Sequence, residues 1–353
     1  MRKAKLVIAL LATLGAGTAA GADLVSIYRE AVASDAQYAS ARASYLAAQE
    51  RVAQGKAGLL PQVSANASLS YTELDARFLG GAAAFSGGQR DFGTRSFGVQ
   101  LSQPLYRPAN WQTYEQGKLQ ALASDIQLNA AAQDLMVRVS QAYFDVLQAQ
   151  ANLTFIRAQK SAIAEQLAQA KRNFIVGTAT ITDTNDAQAR YDLSAAQEVA
   201  ALNELEVKNR ALAAIIGKNP GALAAPADPI VLSRPEPADM TAWVEQAQSS
   251  SLQVEVQRTS VEIASREIKK QQAGHLPTVD ATANYSDTRA NQSTFGFGSE
   301  IRQAVIGVQV NVPIYLGGAV TSRVREAVAN KTKAEQDLEG ARRVAVLNTQ
   351  QAY

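Results

Sequence analysis

The chain contains a long internal repeat. Lys56-Ala57-Gly58-Leu59-Leu60-Pro61 returns as Gln272-Ala273-Gly274-His275-Leu276-Pro277, 216 positions on, and at that offset Ala31, Gln37, Arg42, Ser44, Val63, Ala65 and Ala67 meet their own residue type. A second block, Gly98-Val99-Gln100 with Pro104 and Tyr106, returns as Gly307-Val308-Gln309 with Pro313 and Tyr315, 209 positions on. A repeat this long is two copies of one supersecondary unit rather than a short solenoid period, so the fold is expected to be pseudo-symmetric. The first copy runs on past Ala142-Tyr143, whereas the second reaches the matching Ala352-Tyr353 at the last residue.

The first residues carry a basic start (Arg2, Lys3, Lys5), an apolar run from Leu6 to Leu14 and small residues Ala20-Gly21-Ala22 before Asp23. That pattern predicts a secretory signal peptide over 1–22, its apolar run too short to span a bilayer as a helix. No comparable apolar stretch follows. Cys is absent, which removes disulfides and thiolate chemistry. The net charge of +2 makes no case for a nucleic-acid partner. Hydrophobic residues are 47% of the chain but aromatics only 6%, a balance that suits thin, closely packed helices.

Leu24 to Ala33 reads as a short helix broken at Ser34-Asp35, where either side chain can cap a second helix running to about Gln54. From Gln62 to Thr72 the alternation is strict: Val63, Ala65, Ala67, Leu69 and Tyr71 oppose Ser64, Asn66, Ser68, Ser70 and Thr72. The second copy sets Val279, Ala281, Ala283 and Tyr285 against Asp280, Thr282, Asn284 and Ser286. After a polar stretch with Gly80-Gly81, Gly87-Gly88 and Gly93, Phe97, Val99 and Leu101 alternate with Gly98, Gln100 and Ser102, matched by Ile306, Val308 and Val310 against Gly307, Gln309 and Asn311. Each copy thus predicts two strands of roughly 10 residues, apolar on one face and polar on the other, the length that crosses a bilayer when tilted. Four such strands cannot close a barrel, so the chain is either soluble or seals its edges with further copies of itself. No helix is placed in sequence to cover the apolar face, which favours a polar face lining a lumen. Tyr71, Tyr106, Tyr285 and Tyr315 fall near the expected strand ends, where an interfacial girdle would sit.

Beyond Pro104 and Pro108 the pattern turns helical. Leu135, Val139, Ala142, Val146, Ala149, Leu153, Ile156, Lys160, Ile163, Leu167, Ala170 and Phe174 keep 4-3 spacing, a coiled-coil seam interrupted in character by Lys160. A helix from about Asn110 to Val176 would be roughly 100 Å long at about 1.5 Å per residue. Gly177 ends it, Thr182 or Asp183 begins the next, and Tyr191, Ala195, Leu202, Leu205, Leu212 and Ile216 form the returning seam up to Gly217. Residues 218–239, with Pro220, Pro226, Pro229, Pro235 and Pro237, read as a non-helical linker between a first structural repeat, 23–217, and a second, 240–353.

No catalytic, cofactor or metal site emerges from the residues. His275, the sole His, stands in a helix-to-strand joint where the first copy has Leu59, which suits a spacer. Nucleophile-elbow, phosphate-loop and dinucleotide patterns are absent, and Asp183, Asp186 and Asp192 lack calcium-loop spacing. The segment Phe174 to Asp183 admits two readings. Locally, Gly177 takes a left-handed helix-ending position and Thr182 or Asp183 caps the next helix. Functionally, Ile175, Val176 and Ile181 would stand exposed, where a partner would cover them.

The duplicated helix-strand-strand-helix unit behind a leader, the G-x-L-P joints, the Gly-Val-Gln strands ending in Pro-x-Tyr, and Val176-Gly177-Thr178 followed by Thr182-Asp183 together resemble the TolC family of outer-membrane efflux and secretion ducts. The resemblance covers the mature chain. It implies an α+β membrane protein with long antiparallel coiled-coil hairpins and four amphipathic strands per protomer. Three protomers would form a 12-stranded β-barrel continued by an α-helical tunnel in the periplasm. It further implies that Val176, Gly177 and Thr178 dock a periplasmic adaptor protein, and that Thr182 and Asp183 belong to an entrance gate, Asp183 bonding to a neighbouring hairpin. The partners implied are a homotrimer, that adaptor, an inner-membrane transporter and outer-membrane lipid, with no cofactor and no chemistry. Against the family pattern, the second hairpin is missing, so the resemblance also implies a chain incomplete at its C-terminus, three copies of which would not build an intact duct. The alternative is a periplasmic adaptor, which also joins a helical hairpin to β structure but without duplicated amphipathic strand pairs.

Overall fold

A computed structural model describes residues 21–76, 88–226, 235–292 and 297–353. The expected signal peptide up to Ala20, Gly80-Gly81, Gly87 and the part of the expected linker around Pro229 lie outside the described residues. The element order repeats. Helices α1 (Leu24–Ser34) and α2 (Ala36–Ala57), strands β1 (Gln62–Ala76) and β2 (Gly88–Tyr106) and helix α3 (Pro108–Ile175) precede α4 (Ile181–Ile216). The same order then recurs as α5 (Met240–Ser250), α6 (Leu252–Gln272), β3 (Thr278–Ala290), β4 (Ser299–Asn311) and α7 (Ala319–Ala352). Corresponding helices even share a start signal: Asp23 accepts a bond from the Ser26 amide and Asp239, 216 positions on, from the Thr241 amide.

The chain divides into two units, one of residues 1–41 and 131–234, the other of 42–130 and 235–353, so the spatial division cuts across the repeat. In the first unit the core is a three-helix seam. Ile27 and Ala31 of α1, Leu135, Val139, Tyr143 and Val146 of α3, and Leu212 and Ile216 of α4 are buried together. The 4-3 spacing of α3 explains Leu135, Val139 and Val146, which share one stripe, since a stripe of aliphatic side chains is stable only when another covers it. At the step where the spacing names Ala142 the buried residue is Tyr143, with Ala142 partly buried beside it. On α4 the seam residue is Ala201, which is buried, and Leu202 is exposed. The expected Leu202 is thus corrected by one position, because two helices in close contact admit the small side chain and turn the larger one outward. The linker takes part as well. Ala22 and Leu223 form a parallel bridge, and the Tyr143 hydroxyl donates to the Ala224 carbonyl at 2.6 Å.

Asp35 links sequence to stability in this unit. Its carboxylate accepts the Tyr38 amide, capping α2, and both oxygens accept from Arg138 of α3 at 3.1 Å. Arg138 donation, opposed by desolvation and aided by the Tyr38 amide, holds the Asp35 carboxyl below the ordinary value of 3.8. A lowered native pKa contributes stability that is complete above the unfolded value and lost as pH falls through the native one. Thermal unfolding followed by circular dichroism should therefore show a loss of stability as pH is taken below 3.8. Asp35→Asn keeps a capping oxygen but loses the charged pair, costing about 1–2 kcal/mol at neutral pH and flattening that acid limb. An unchanged acid limb in the variant would remove Asp35 from the account.

In the second unit the strands form one antiparallel sheet in the order β1-β2-β3-β4. The hairpins of the two repeats meet at β2 and β3, which leaves β1 and β4 as edges. The strands run 15, 19, 13 and 13 residues, longer than the roughly 10 expected. Pairing continues beyond the apolar alternation through polar and charged partners such as Glu73 with Asp91 and Arg289 with Glu300, since the backbone ladder does not need apolar side chains. Tyr285 consequently lies mid-strand and Tyr71 inside β1, rather than at strand ends.

At the helix-proximal end Pro104 sits in a β-bulge, the register shifting between Pro104 and Tyr106. Proline cannot donate to the ladder, and a bulge is where a strand tolerates it. The following Arg107 closes a two-pronged pair with buried Asp280, both bonds 2.7 Å. Helices α2 and α3 leave the sheet side by side. A methyl group on Gly117 would lie 2.6 Å from the Arg51 carbonyl oxygen, so only glycine permits that approach. The expected spacer His275 lies in a short 3₁₀ turn, Ala273–His275, joining α6 to β3.

Candidate functional site: the hairpin tip and the apolar sheet face

The turn between α3 and α4 and the first turn of α4 hold all five residues singled out in the sequence. Gly177 has φ +79°, its amide bonds the Phe174 carbonyl at 3.1 Å, and the Thr178 amide bonds the Asn173 carbonyl at 2.9 Å. These are the paired bonds of a Schellman helix end, which require a left-handed residue where Gly177 stands. The Thr178 hydroxyl adds a third bond, to the Asn173 carbonyl at 3.1 Å. With the turn closed by backbone bonds, its apolar side chains have nowhere inward to go. Ile175 is 81% exposed and Val176 71%, and Phe174 and Ile181 are also exposed.

The cap of α4 is Thr180, not Thr182 or Asp183. The Thr180 hydroxyl oxygen accepts the Asp183 amide, and Asp183 Oδ2 accepts both the Thr180 amide and the Thr180 hydroxyl, each at 2.8 Å. That is a reciprocal capping box, for which the Thr-x-x-Asp spacing was a visible sign. Thr182 lies within the first turn, exposed and with no part in the cap. The bonds from the Thr180 amide, then from its hydroxyl, hold the Asp183 carboxyl below the ordinary value, so it is anionic at neutral pH. Oδ2 is used by the cap, and Oδ1 has no partner among the described residues.

Behind the tip, charged pairs occupy the seam. Lys160 donates to Glu198 at 2.8 Å and Arg157 to the same carboxylate at 2.9 Å, while Lys208 of α4 donates to Asp145 at 2.8 Å. The interruption at Lys160 is therefore answered by an acid on the returning helix. Sequence periodicity on α3 alone carries no sign of Glu198.

The sheet's two faces separate as alternation requires. Directly opposed residues share a face, and one face carries the rows Val63–Leu101–Ala283–Ile306 and Ala65–Val99–Tyr285–Ala304. The other carries Ser64–Gln100–Asn284–Val305 and Asn66–Gly98–Ser286–Gln303. The apolar face is uncovered: Leu69 is 85% exposed and Ile306 87%, and Val63, Val308 and Val310 are exposed as well. No helix among the described residues is long and apolar enough to cross a membrane. A large exposed apolar sheet face beside a polar one is the signature of a barrel wall. The model of the outer membrane efflux protein family matches residues 27–218 and 243–353, both repeats and nearly all of the chain beyond residue 22.

The chain belongs to this outer membrane efflux family. Outer membrane protein TolC of Vibrio cholerae is 35% identical over 92% of the chain and 72% of its own length. Proteases secretion protein PrtF of Dickeya chrysanthemi is 31% identical over 97% of the chain and 74% of its own length. The fold matches that of the outer membrane protein VceC of Vibrio cholerae with a TM-score of 0.71 at 20% identity, covering 90% of this chain and 75% of that one. The protein is a TolC-family channel, built of long helices and a four-stranded antiparallel sheet per protomer. The periplasmic adaptor reading is not favoured. Within the efflux family, the family-model match stops at 218 and resumes at 243, so it steps over the proline-bearing linker that separates the repeats.

Proposed function

We propose that this protein is the outer-membrane duct of an efflux or type I secretion assembly. It would give small molecules or unfolded proteins a passive aqueous path to the exterior. The single observation that carries the reading is the four-stranded sheet of a family member with one face apolar and exposed, the other polar, and both edge strands open. Three copies joined edge to edge give a 12-stranded barrel in which no strand edge is left unpaired. The helices extend into the periplasm, where the tip Val176-Gly177-Thr178 meets a periplasmic adaptor and an inner-membrane transporter supplies the driving force. Exposed Ile175 and Val176 support that contact, since apolar side chains at a solvated tip gain from being covered. Asp183, with Thr182 beside it, bonds the neighbouring hairpin in the closed entrance through its unoccupied Oδ1. Opening is then a shift between two hairpin arrangements, biased by the adaptor.

Because the chain lacks Cys, an introduced pair reports cleanly. Asn66→Cys on β1 with Gln303→Cys on β4, treated with a flexible bifunctional thiol reagent in membranes, should give a ladder ending at the trimer. The same protein should open ion-conducting pores in planar bilayers. Monomer alone after crosslinking, with no conductance, would overturn the assignment.

A further inference from the structure

The apolar face of the sheet does not stay apolar along its length. In the direction away from the helices, the row Ala67–Phe97–Asp287–Arg302 follows the last fully apolar one, and Leu69–Arg95–Arg289–Glu300 comes next. In these two rows three guanidinium groups and two carboxylates share the face that carries Val63, Val99 and Ile306; farther from the helices the same face carries Glu73, Asp91 and Asp75, of which Asp91 accepts from the Tyr71 hydroxyl and Glu73 from the Gln89 side chain. Arg289 bridges Asp287 and Glu300, and Arg302 bridges the same two acids. The acids are thus used by two of the arginines. Arg95 is exposed and has no ion-pair partner among the described residues, and its cross-strand neighbours are Leu69 and another arginine, Arg289. The charge of Arg289 is answered by Asp287 and Glu300, whereas Arg95, directly opposite it, makes none of these ion pairs.

Position identifies an anion for Arg95. From Val279 to Asp287 along β3 is eight residues, about 27 Å at roughly 3.4 Å per residue, or about 20 Å of membrane depth for a strand tilted near 40°. That depth is close to the apolar band of about 25 Å in barrels of this kind, so the charged rows emerge at the headgroup level. The rim in question is the one remote from the helices, which join the sheet at Gln62 and Tyr106. Arg95 and Arg289 lie on the two inner strands, which edge-to-edge joining of copies leaves uncovered.

Resting on the barrel reading above, we propose that Arg95, Arg289 and Arg302 form a binding surface for the phosphorylated headgroup of a glycolipid in the outer leaflet. The Arg95 guanidinium makes the unshared contact. The planar fork of arginine suits phosphate oxygens, and Phe97 and Tyr285 below it meet the acyl chains. The lipid would fasten the rim of the barrel in its leaflet, and the charge pattern would fix the depth at which the sheet sits.

Native mass spectrometry of the detergent-solubilised protein with added diphosphoryl lipid A tests this, with fully dephosphorylated lipid A as the comparison. The wild type should retain the phosphorylated form preferentially. Arg95→Gln should lower that retention about fivefold, the effect of roughly one basic residue at an anionic surface, and leave the dephosphorylated form unchanged. Arg95→Lys should keep most of the preference, and Arg302→Gln gives a second variant on a separate strand. Equal retention of the two lipids by the wild type, or a preference untouched by both Gln variants, would overturn the proposal. Displacement of the lipid by excess inorganic phosphate would make free phosphate the ligand and overturn the lipid assignment. A protein that failed to enter bilayers at all would instead sink the barrel reading, which reconstitution scores separately.

Discussion

Ile306→Arg should abolish membrane insertion of this protein, and with it the proposed trimer, while Gln303→Arg on the opposite face of the same strand should leave both in place. Ile306 is 87% exposed and lies in the row Val63–Leu101–Ala283–Ile306, well inside the apolar band. An arginine on the lipid face of a barrel costs about 2–4 kcal/mol near the midplane. In a three-copy barrel the substitution appears three times, which brings the total to roughly the whole stability of an ordinary domain. In the proposed barrel, charge added at Gln303 would meet lumenal water beside Ser286, where no such penalty arises. Migration of unheated and heated samples in detergent gels, together with the outer-membrane fraction recovered, reads both variants. Normal insertion of the Ile306 variant would mean that this face does not meet lipid.

The second large effect is expected at Gly177. Gly177→Val in the export-competent protein should cut adaptor-dependent export by about tenfold or more, the ratio set by a loss of about 1.4 kcal/mol. The cause is local. A Cβ at this position meets nothing within 4 Å, so no clash inside the chain is involved; the φ of +79° is what a β-branched residue resists. Relieving that strain breaks the Gly177 and Thr178 amide bonds and moves Val176 and Thr178, the residues proposed to touch the adaptor. Gly177→Asn, which tolerates the left-handed region, should keep most of the export. Export assays paired with site-specific crosslinking to the adaptor distinguish the outcomes, and wild-type levels of both in the Val variant would refute the tip assignment.

Much of this architecture was legible before any coordinates. The offsets of 216 and 209 residues reappear as matched helices and strands. The 4-3 spacing from Leu135 to Ala170 became a single continuous helix, α3. The glycine stop at Gly177 was readable because few residues but glycine take its conformation, a constraint that belongs to one residue alone. What escaped the sequence reading involved two residues at once. Thr180, Thr182 and Asp183 are equally good cap types, and only the bonds between Thr180 and Asp183 decide among them. On α4 the hydrophobic pattern favours the larger Leu202, whereas packing buries the smaller Ala201. Lys160 looked like a flaw in the seam until Glu198 appeared across from it.

The sequence by itself determined the repeat, the type of each long element, and which alternate residues of each strand are apolar, because these follow from backbone period and side-chain polarity within one segment. The tertiary structure alone decided the pairing of β2 with β3, the two open edges, and the meeting of Arg95, Arg289, Arg302, Asp287 and Glu300 on one face. Those depend on register between segments up to about two hundred residues apart, which no single period encodes, since a slip of one residue would send the charges of the slipped strand to the other side of the sheet and part them from the rest.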